Sequence, residues 1–288
     1  MNRYKIISYS KSAAIHAFLL AVTVTCLFPL FWMVRSALTT NATVFTDKSL
    51  LPARMHFENF RTAWIDGNFG AYFLNSLFYT CAVVAGIVLI ASLAAYAFSR
   101  LQFPGKNFFF YLFVATMMIP LPGSFVPLTV LMTKLGFINS DYAIVRQLGY
   151  ILCMISVGLS LSIFFLKTFF DKMPSDLEDA ARIDGCSKLG IWWHVAMPLA
   201  RPALAVVVIF NALIVWNEYI LAMLLLNDVD EHTIMPLQRG LMVFQGAHSV
   251  DYPVLMAGLT MAALPIILIY LFMQKHIING LSSEAITA

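Results

Sequence analysis

Apolar residues in this chain come in long blocks rather than in alternating or one-sided stripes. Stretches free of Asp, Glu, Lys and Arg run from Ser12 to Val34, Gly67 to Ser99, Asn107 to Thr133 and Gln147 to Leu166. Two more run from Pro202 to Asn227, broken only by Glu218, and from Tyr252 to Gln274. Each can hold the roughly 20 helical residues that cross ~30 Å of hydrocarbon. A helix that is apolar all round belongs in lipid or in a deep core. The pattern predicts an all-α integral membrane protein with six transmembrane helices. Composition agrees, since 60% hydrophobic and 11% charged residues are more apolar than a soluble domain of 288 residues requires.

The polar stretch between the fourth and fifth blocks, Pro174 to Pro198, reads as a compact helix-turn-helix. Ser175 followed by Glu178 has capping-box spacing, and Pro174 helps to end the preceding helix. Asp176, Glu178 and Asp179 put negative charge on the first turn, where the helix dipole favours it, and Gly185 stands where a left-handed C-terminal cap would fall. The expected helix runs from Asp176 to Asp184. Ala180 and Ala181 leave part of its surface without bulk, so that another protein could approach the backbone closely.

Lys and Arg asymmetry sets the orientation. With alternating spans, Arg3, Lys5, Lys11, Arg100, Lys106, Lys167, Lys172, Arg182, Lys188, Arg201 and Lys275 share one side. The other side carries Arg35, Lys48, Arg54, Arg61, Lys134, Arg146 and Arg239, offset by Asp47, Glu58, Asp66, Asp228, Asp230 and Glu231. By the positive-inside rule both termini and the Pro174 to Pro198 loop are cytoplasmic. The first block follows three basic residues as a secretory signal would. Its length and its bulky end, Phe28-Pro-Leu-Phe-Trp32, favour a retained span instead. The net charge of +3 then reflects topology and not nucleic-acid binding.

Other chemistry finds little support. Cys26, Cys81, Cys153 and Cys186 have neither disulfide nor zinc spacing and read as small packing residues. His16, His56, His194, His232, His248 and His276 are scattered over span ends and loops, form no metal-ligand pair and leave no metal site. Pro104-Gly-Lys106 has a single Gly and no following Ser or Thr, so it is no phosphate loop, and no nucleophile elbow appears. The chain reads as a non-enzyme.

Asp179-Ala180-Ala181, three residues, Gly185, nine residues, Val195, one residue, Met197-Pro198 resembles the cytoplasmic EAA loop of ABC importer permeases. Asp, Val and Met stand in for the usual Glu, Ile and Leu. The run Glu178-Asp-Ala-Ala-Arg182-Ile-Asp184-Gly185 is similar to the carbohydrate-uptake branch, in particular the second permease subunit of maltose-type transporters. Phe73-Leu-Asn-Ser76, Ala94 to Gly105, Met118-Ile-Pro120, Trp216-Asn217-Glu218 and the tail at Gly280-Leu281 agree, so the resemblance covers essentially the whole chain. It implies a coupling helix in the loop, a second permease subunit completing the pore, two ATP-binding cassette ATPases and an extracytoplasmic solute-binding protein. It also implies a carbohydrate substrate, a bacterial cytoplasmic (inner) membrane, and no cofactor on this chain, because ATP and Mg would sit on the ATPases. In the maltose-type system the sugar contacts lie mostly on the other permease, so Tyr72, Phe125 and Tyr219 are not promoted to ligand contacts.

Three features inside the spans could serve transport or packing. Pro120, Pro122, Gly123 and Pro127 should bend or break the third span, and irregular backbone survives at membrane depth only against protein or a water-filled cavity. They mark either a pathway wall or a packing kink. Ala82 with Gly86 and Ala91 with Ala95 have the small-xxx-small spacing of close helix contacts. Glu218, beside Asn217, is the only acidic residue within a span, toward the outer part of the fifth, and serves either as a gate or as a hydrogen-bonded structural group.

The expected divisions are 1–71 for the amino-terminal segment, first span and external loop, 72–276 for the permease core with the loop at 174–198, and 277–288 for a cytoplasmic tail that could reach the ATPases. The expected function is sugar or oligosaccharide import by alternating access. A permease for another polar solute, or an ion-coupled secondary transporter working through Glu218, is the alternative.

Overall fold

The structure, a computed structural model, describes residues 2–226, 234–244 and 250–285, with side chains described for 12–226, 234–242 and 250–272. Asp228, Asp230, Glu231, His232, His248 and tail residues 286–288 lie outside the described residues, as do the side chains of Arg3, Lys5, Lys11, Lys275 and His276.

Every regular element among the described residues is helical. The order is α1 (Asn2–Ala37), α2 (Glu58–Ile65), α3 (Phe69–Arg100), α4 (Lys106–Thr116), α5 (Leu121–Lys134) and α6 (Ala143–Lys172). Then come α7 (Asp176–Ile183), α8 (Lys188–Ile191), a π-helical turn (Trp192–Ala196), α9 (Met197–Leu199), α10 (Arg201–Trp216) and α11 (Ile220–Leu225). The chain continues with α12 (Leu237–Gly240), a 3₁₀ turn (Leu241–Phe244) and α13 (Tyr252–Ala285).

Ser12–Ala37 within α1, α3, α6 and Tyr252–Phe272 within α13 are long and apolar enough to cross a membrane. Among the described residues the spans number up to six when each of two bent pairs is taken as one, α4 with α5 at 104° and Lys188–Leu199 with α10 at 79°. The expected third span is thus two helices at a steep angle. The expected continuous fifth span is also corrected: α10 ends at Trp216 and a new helix begins at Ile220.

The chain forms two compact units. One comprises Met1–Phe69 with Leu241–Leu264. Its small core is Ala37, Ala63, Val254 and Ala257, flanked by Phe60, Met256 and Met261. The loop after α1 is organised by Arg35, whose side chain is buried. Its guanidinium pairs with Asp47 at 3.0 Å, donates to the carbonyls of Asp47 (2.7 Å) and Ser49 (3.1 Å), and lies over the Trp32 ring. The hydroxyl and backbone N–H of Ser49 hold the Asp47 carboxyl below the usual carboxylate range.

The other unit, Gly70–Gly240 with Pro265–Ala288, holds the main core. Its buried residues include Tyr79, Ile87, Ala91, Ala95, Tyr150, Ile163, Leu166, Phe170, Ala196, Val207 and Leu221. Ala91 and Ala95 are fully buried, and a Cβ on Gly86 would stand 2.5 Å from Ile155 Cδ1, so the small residues of α3 let α6 pack closely. Cys153 is buried in this core and Cys186 packs against it, whereas Cys26 and Cys81 are exposed on the chain.

Candidate functional site

The polar loop folds as its punctuation predicts, with one exception. α7 closes at Gly185, whose φ of +83° is left-handed. The Gly185 N–H donates to the Arg182 carbonyl (3.1 Å) and the Cys186 N–H to the Ala181 carbonyl (3.0 Å), the two bonds of a Schellman cap. A Cβ at Gly185 would meet nothing within 4 Å, so glycine is required here by backbone conformation and not by crowding. The chain restarts at Ser187, whose hydroxyl accepts from the Gly190 N–H at 3.2 Å. The turn then widens into the π-helix before Pro198, which has no N–H to return to the His194 carbonyl.

The exception is the capping box. Ser175 has helical backbone angles and its side chain caps nothing, although its carbonyl accepts from the N–H groups of Glu178 and Asp179. Glu178 turns inward instead. Its Oε1 lies 3.0 Å from Arg100 Nε at the end of α3, and Oε2 accepts from the Tyr96 hydroxyl at 3.3 Å. An ion pair and a hydrogen bond outcompete a solvent-facing cap, and they bury the Glu178 side chain to 7% exposure. The Arg100 Nη2 also donates to the carbonyl of Met173, which ends α6.

With Glu178 inward, α7 faces out with Leu177, Asp179, Ala180, Ile183 and Asp184, all exposed, while Ala181 packs toward the core. Asp179 and Arg182 pair on that surface at 2.8 Å, an exposed contact worth little to stability. Leu189, Trp193 and Pro198 are exposed further along. The result is a short, rigidly based helix with an apolar, acidic-edged outer face.

In the third span, Pro120 is extended (φ −65°, ψ 122°), and Pro122 enters the first turn of α5. Met117 to Ile119 close only short-range turns, Gly123 bonds back to the Pro120 carbonyl (3.0 Å), and Pro127 lies inside α5. A cavity of about 460 Å³ opens beside this break. Its walls carry the hydroxyls of Thr116, Ser124, Ser156 and Ser160 among apolar neighbours, with the Thr116 and Ser160 oxygens 2.6 Å apart.

The break in the fifth span is made by its own side chains. Asn217 returns its amide to the Leu213 carbonyl at 2.8 Å, ending α10. Glu218 then accepts from the Leu221 N–H (2.7 Å) and the Ala222 N–H (2.9 Å), starting α11, and from the Tyr150 hydroxyl at 3.4 Å. Both carboxylate oxygens are therefore engaged. α11 packs on α5 and α6, whereas α7 packs on α8, the π-turn and, through Glu178, the end of α3.

Arg100 and Tyr96 are functional candidates that the sequence reading passed over. Arg100 looked like one more membrane-flanking cation, and no spacing rule joins it to a glutamate 78 residues away (178 − 100). The hydroxyls at the third-span break were likewise invisible, since Ser and Thr in apolar helices usually bond to their own backbone.

These features define a helical membrane component with one specialised polar loop. Residues 86–283 match the family model described as binding-protein-dependent transport system inner membrane component, and the chain belongs to that family. It is 34% identical to the probable ABC transporter permease protein YurM of Bacillus subtilis, over 96% of this chain and 89% of that protein. It is 30% identical to the diacetylchitobiose uptake system permease protein NgcG of Streptomyces coelicolor, over 94% and 87%. A solved bacterial ABC transporter involved in the import of the acidic polysaccharide alginate superposes with a TM-score of 0.79 at 25% identity, covering 96% of this chain and 98% of the matched one. The chain is thus a membrane-embedded permease component with several spans, of the inner-membrane type.

Proposed function

We propose that this chain is one permease subunit of an ATP-binding-cassette importer that moves a sugar or oligosaccharide into the cytoplasm by alternating access. A second permease would complete the pore, two ATPase subunits would bind and hydrolyse ATP with Mg, and an extracytoplasmic solute-binding protein would deliver the ligand. The substrate class follows from NgcG and the alginate transporter, whose names specify diacetylchitobiose and alginate. The observation that carries the mechanism is α7, anchored from inside by Glu178 and presenting an exposed outer face. Asp179, Ala180, Ala181, Arg182, Asp184 and Gly185 form or shape that docking surface, with Pro198 ending the loop on the membrane side. Charge asymmetry supports a cytoplasmic location for this loop and for both termini.

ATP-driven closure of the ATPases would swing α7 and reorient the helices around the pathway. The breaks at Pro120, Pro122, Gly123 and Pro127 and at Asn217 and Glu218 supply bendable points in two spans. Glu218, with both oxygens taken by backbone N–H groups and a tyrosine, acts there as a structural cap and not as a proton carrier.

The deciding experiment is uptake of labelled oligosaccharide into sealed vesicles containing the full complex, with the binding protein outside. Uptake requiring internal ATP and indifferent to ion gradients is expected. Accumulation on an ion gradient without ATP would overturn the proposal.

A further inference from the structure

The covalent chain joins α7 to only two long helices, α6 through Met173 to Ser175 and α10 through α8, the π-turn and α9. The side chains add a third. Arg100, the last residue of α3, meets the Glu178 carboxylate at 3.0 Å, and Tyr96, one turn earlier on the same face of α3, donates to its other oxygen at 3.3 Å. The same guanidinium reaches the Met173 carbonyl, so a single cation ties together the ends of α3 and α6 and the start of α7. Side-chain exposures of 16% for Arg100 and 7% for Glu178 leave little water to compete for the pair.

A second set of contacts stiffens the same corner. Ser99 donates to Asp171 (2.7 Å), Asp171 also takes the Lys167 ammonium (2.6 Å), and Lys106 donates to the Ser99 carbonyl (3.2 Å). The Ser99–Asp171 and Lys106–Ser99 bonds tie the end of α3 to α6 and α4, and Lys167 holds Asp171 within α6, but none of these bonds is made to α7. Among the described side-chain hydrogen bonds and ion pairs, the Arg100–Glu178–Tyr96 cluster is what connects α3 to α7, the helix whose outer face is exposed.

We propose that this cluster is a coupling strut. Arg100, Glu178 and Tyr96 are positioning residues that make the 32-residue α3 move as one body with α7, so that motion delivered to the loop reaches the membrane through α3 as well as through α6 and α10. The inference rests on the importer reading above and deepens it. Packed elements carry force between sites when they shift as units, and contacts along such a route modulate coupling without touching either ligand.

The test uses the complete importer, reconstituted in lipid vesicles with its partner permease, ATPases and binding protein. Assembly, ATP hydrolysis and solute moved per ATP are measured. The main variant is Arg100→Gln with Glu178→Gln, which removes both charges and so leaves no unpaired ion. It is expected to assemble and hydrolyse ATP as wild type does while solute per ATP falls about fivefold or more, within the range of measured coupling effects. The exchange Arg100→Glu with Glu178→Arg should recover part of that loss.

Wild-type solute per ATP in the neutral pair would overturn the strut alone. So would a fall in transport matched by an equal fall in assembly, which is what a purely structural pair predicts. Tyr96→Phe removes one hydrogen bond and no charge, and it serves if the neutral pair fails to assemble. A drop of about twofold is expected there, and an unchanged value overturns the strut. A wild-type complex that moves solute without ATP would instead overturn the importer reading, and the strut with it.

Discussion

Glu178 is a buried carboxylate and Glu218 a half-buried one, and the regions around them compensate the charge by different means. At the loop, Glu178 is met by a full positive charge, the Arg100 guanidinium at 3.0 Å, with a tyrosine hydroxyl in support. In the fifth span no cation answers Glu218 among its described hydrogen bonds; two backbone N–H groups and the Tyr150 hydroxyl do. The first arrangement joins separate helices and depends on charge. The second depends on hydrogen-bond acceptance, chiefly from the N–H groups at the start of its own helix α11 with one hydroxyl from α6, and serves to break and restart one span. Such an acid can thus be a tie between elements or a terminus within one, and its donors tell which.

Substitutions can break or sharpen that contrast. The largest effect is expected from Arg100→Leu, which leaves the Glu178 carboxylate buried without its cation. Loss of one partner of a buried pair costs about 3–5 kcal/mol, read as a fall in the thermal unfolding midpoint of the purified complex. A loss no greater than that of the fifth-span variants would erase the distinction between the two sites.

Glu218→Leu comes next. It removes the acceptor for two N–H groups and for Tyr150, and an unsatisfied buried donor costs about 1–3 kcal/mol. The same thermal measurement applies, and full stability in Glu218→Leu would remove the capping role.

Gly185→Val tests the loop without touching either acid. A β-branched residue held at φ +83° is strained by about 1 kcal/mol or more although its side chain meets open space. Transport per ATP should fall while the complex still assembles, and Gly185→Asn, whose side chain tolerates the left-handed region, should fall less. Equal behaviour of the two would show that the left-handed turn does not govern coupling.

The smallest effect is expected from Glu218→Gln. An amide oxygen still accepts one of the N–H bonds, so the loss should stay near 1 kcal/mol and uptake should be largely kept. If Gln abolished ATP-driven uptake as completely as Leu, acceptance of hydrogen bonds would not explain Glu218 and proton carriage would have to be reconsidered.

Much of the architecture was legible because membrane spans and helix ends are local signals. Charge-free runs located the helices, and Gly185 marked the end of α7. The prolines of the third span foretold a bend, though not its 104° angle, which depends on how α5 packs. Ser175 and Glu178 misled because capping-box spacing is a local rule, and a tertiary partner on α3 outbid it. Glu218 stood out as an isolated charge, but its role was open until the donors around it were placed. Whatever required two distant segments to meet, as Arg100 and Glu178 do, left no trace in spacing.

The closure of the loop at Gly185 has a consequence for divergence. The turn is held by main-chain hydrogen bonds and stands in open space, so its shape does not depend on which residues decorate α7 and α8. Leu177, Ile183, Leu189 and Trp193 can therefore drift, in step with whatever surface they meet, while the frame that presents them stays unchanged. A socket built this way can be retuned to a new engine by altering its lining alone.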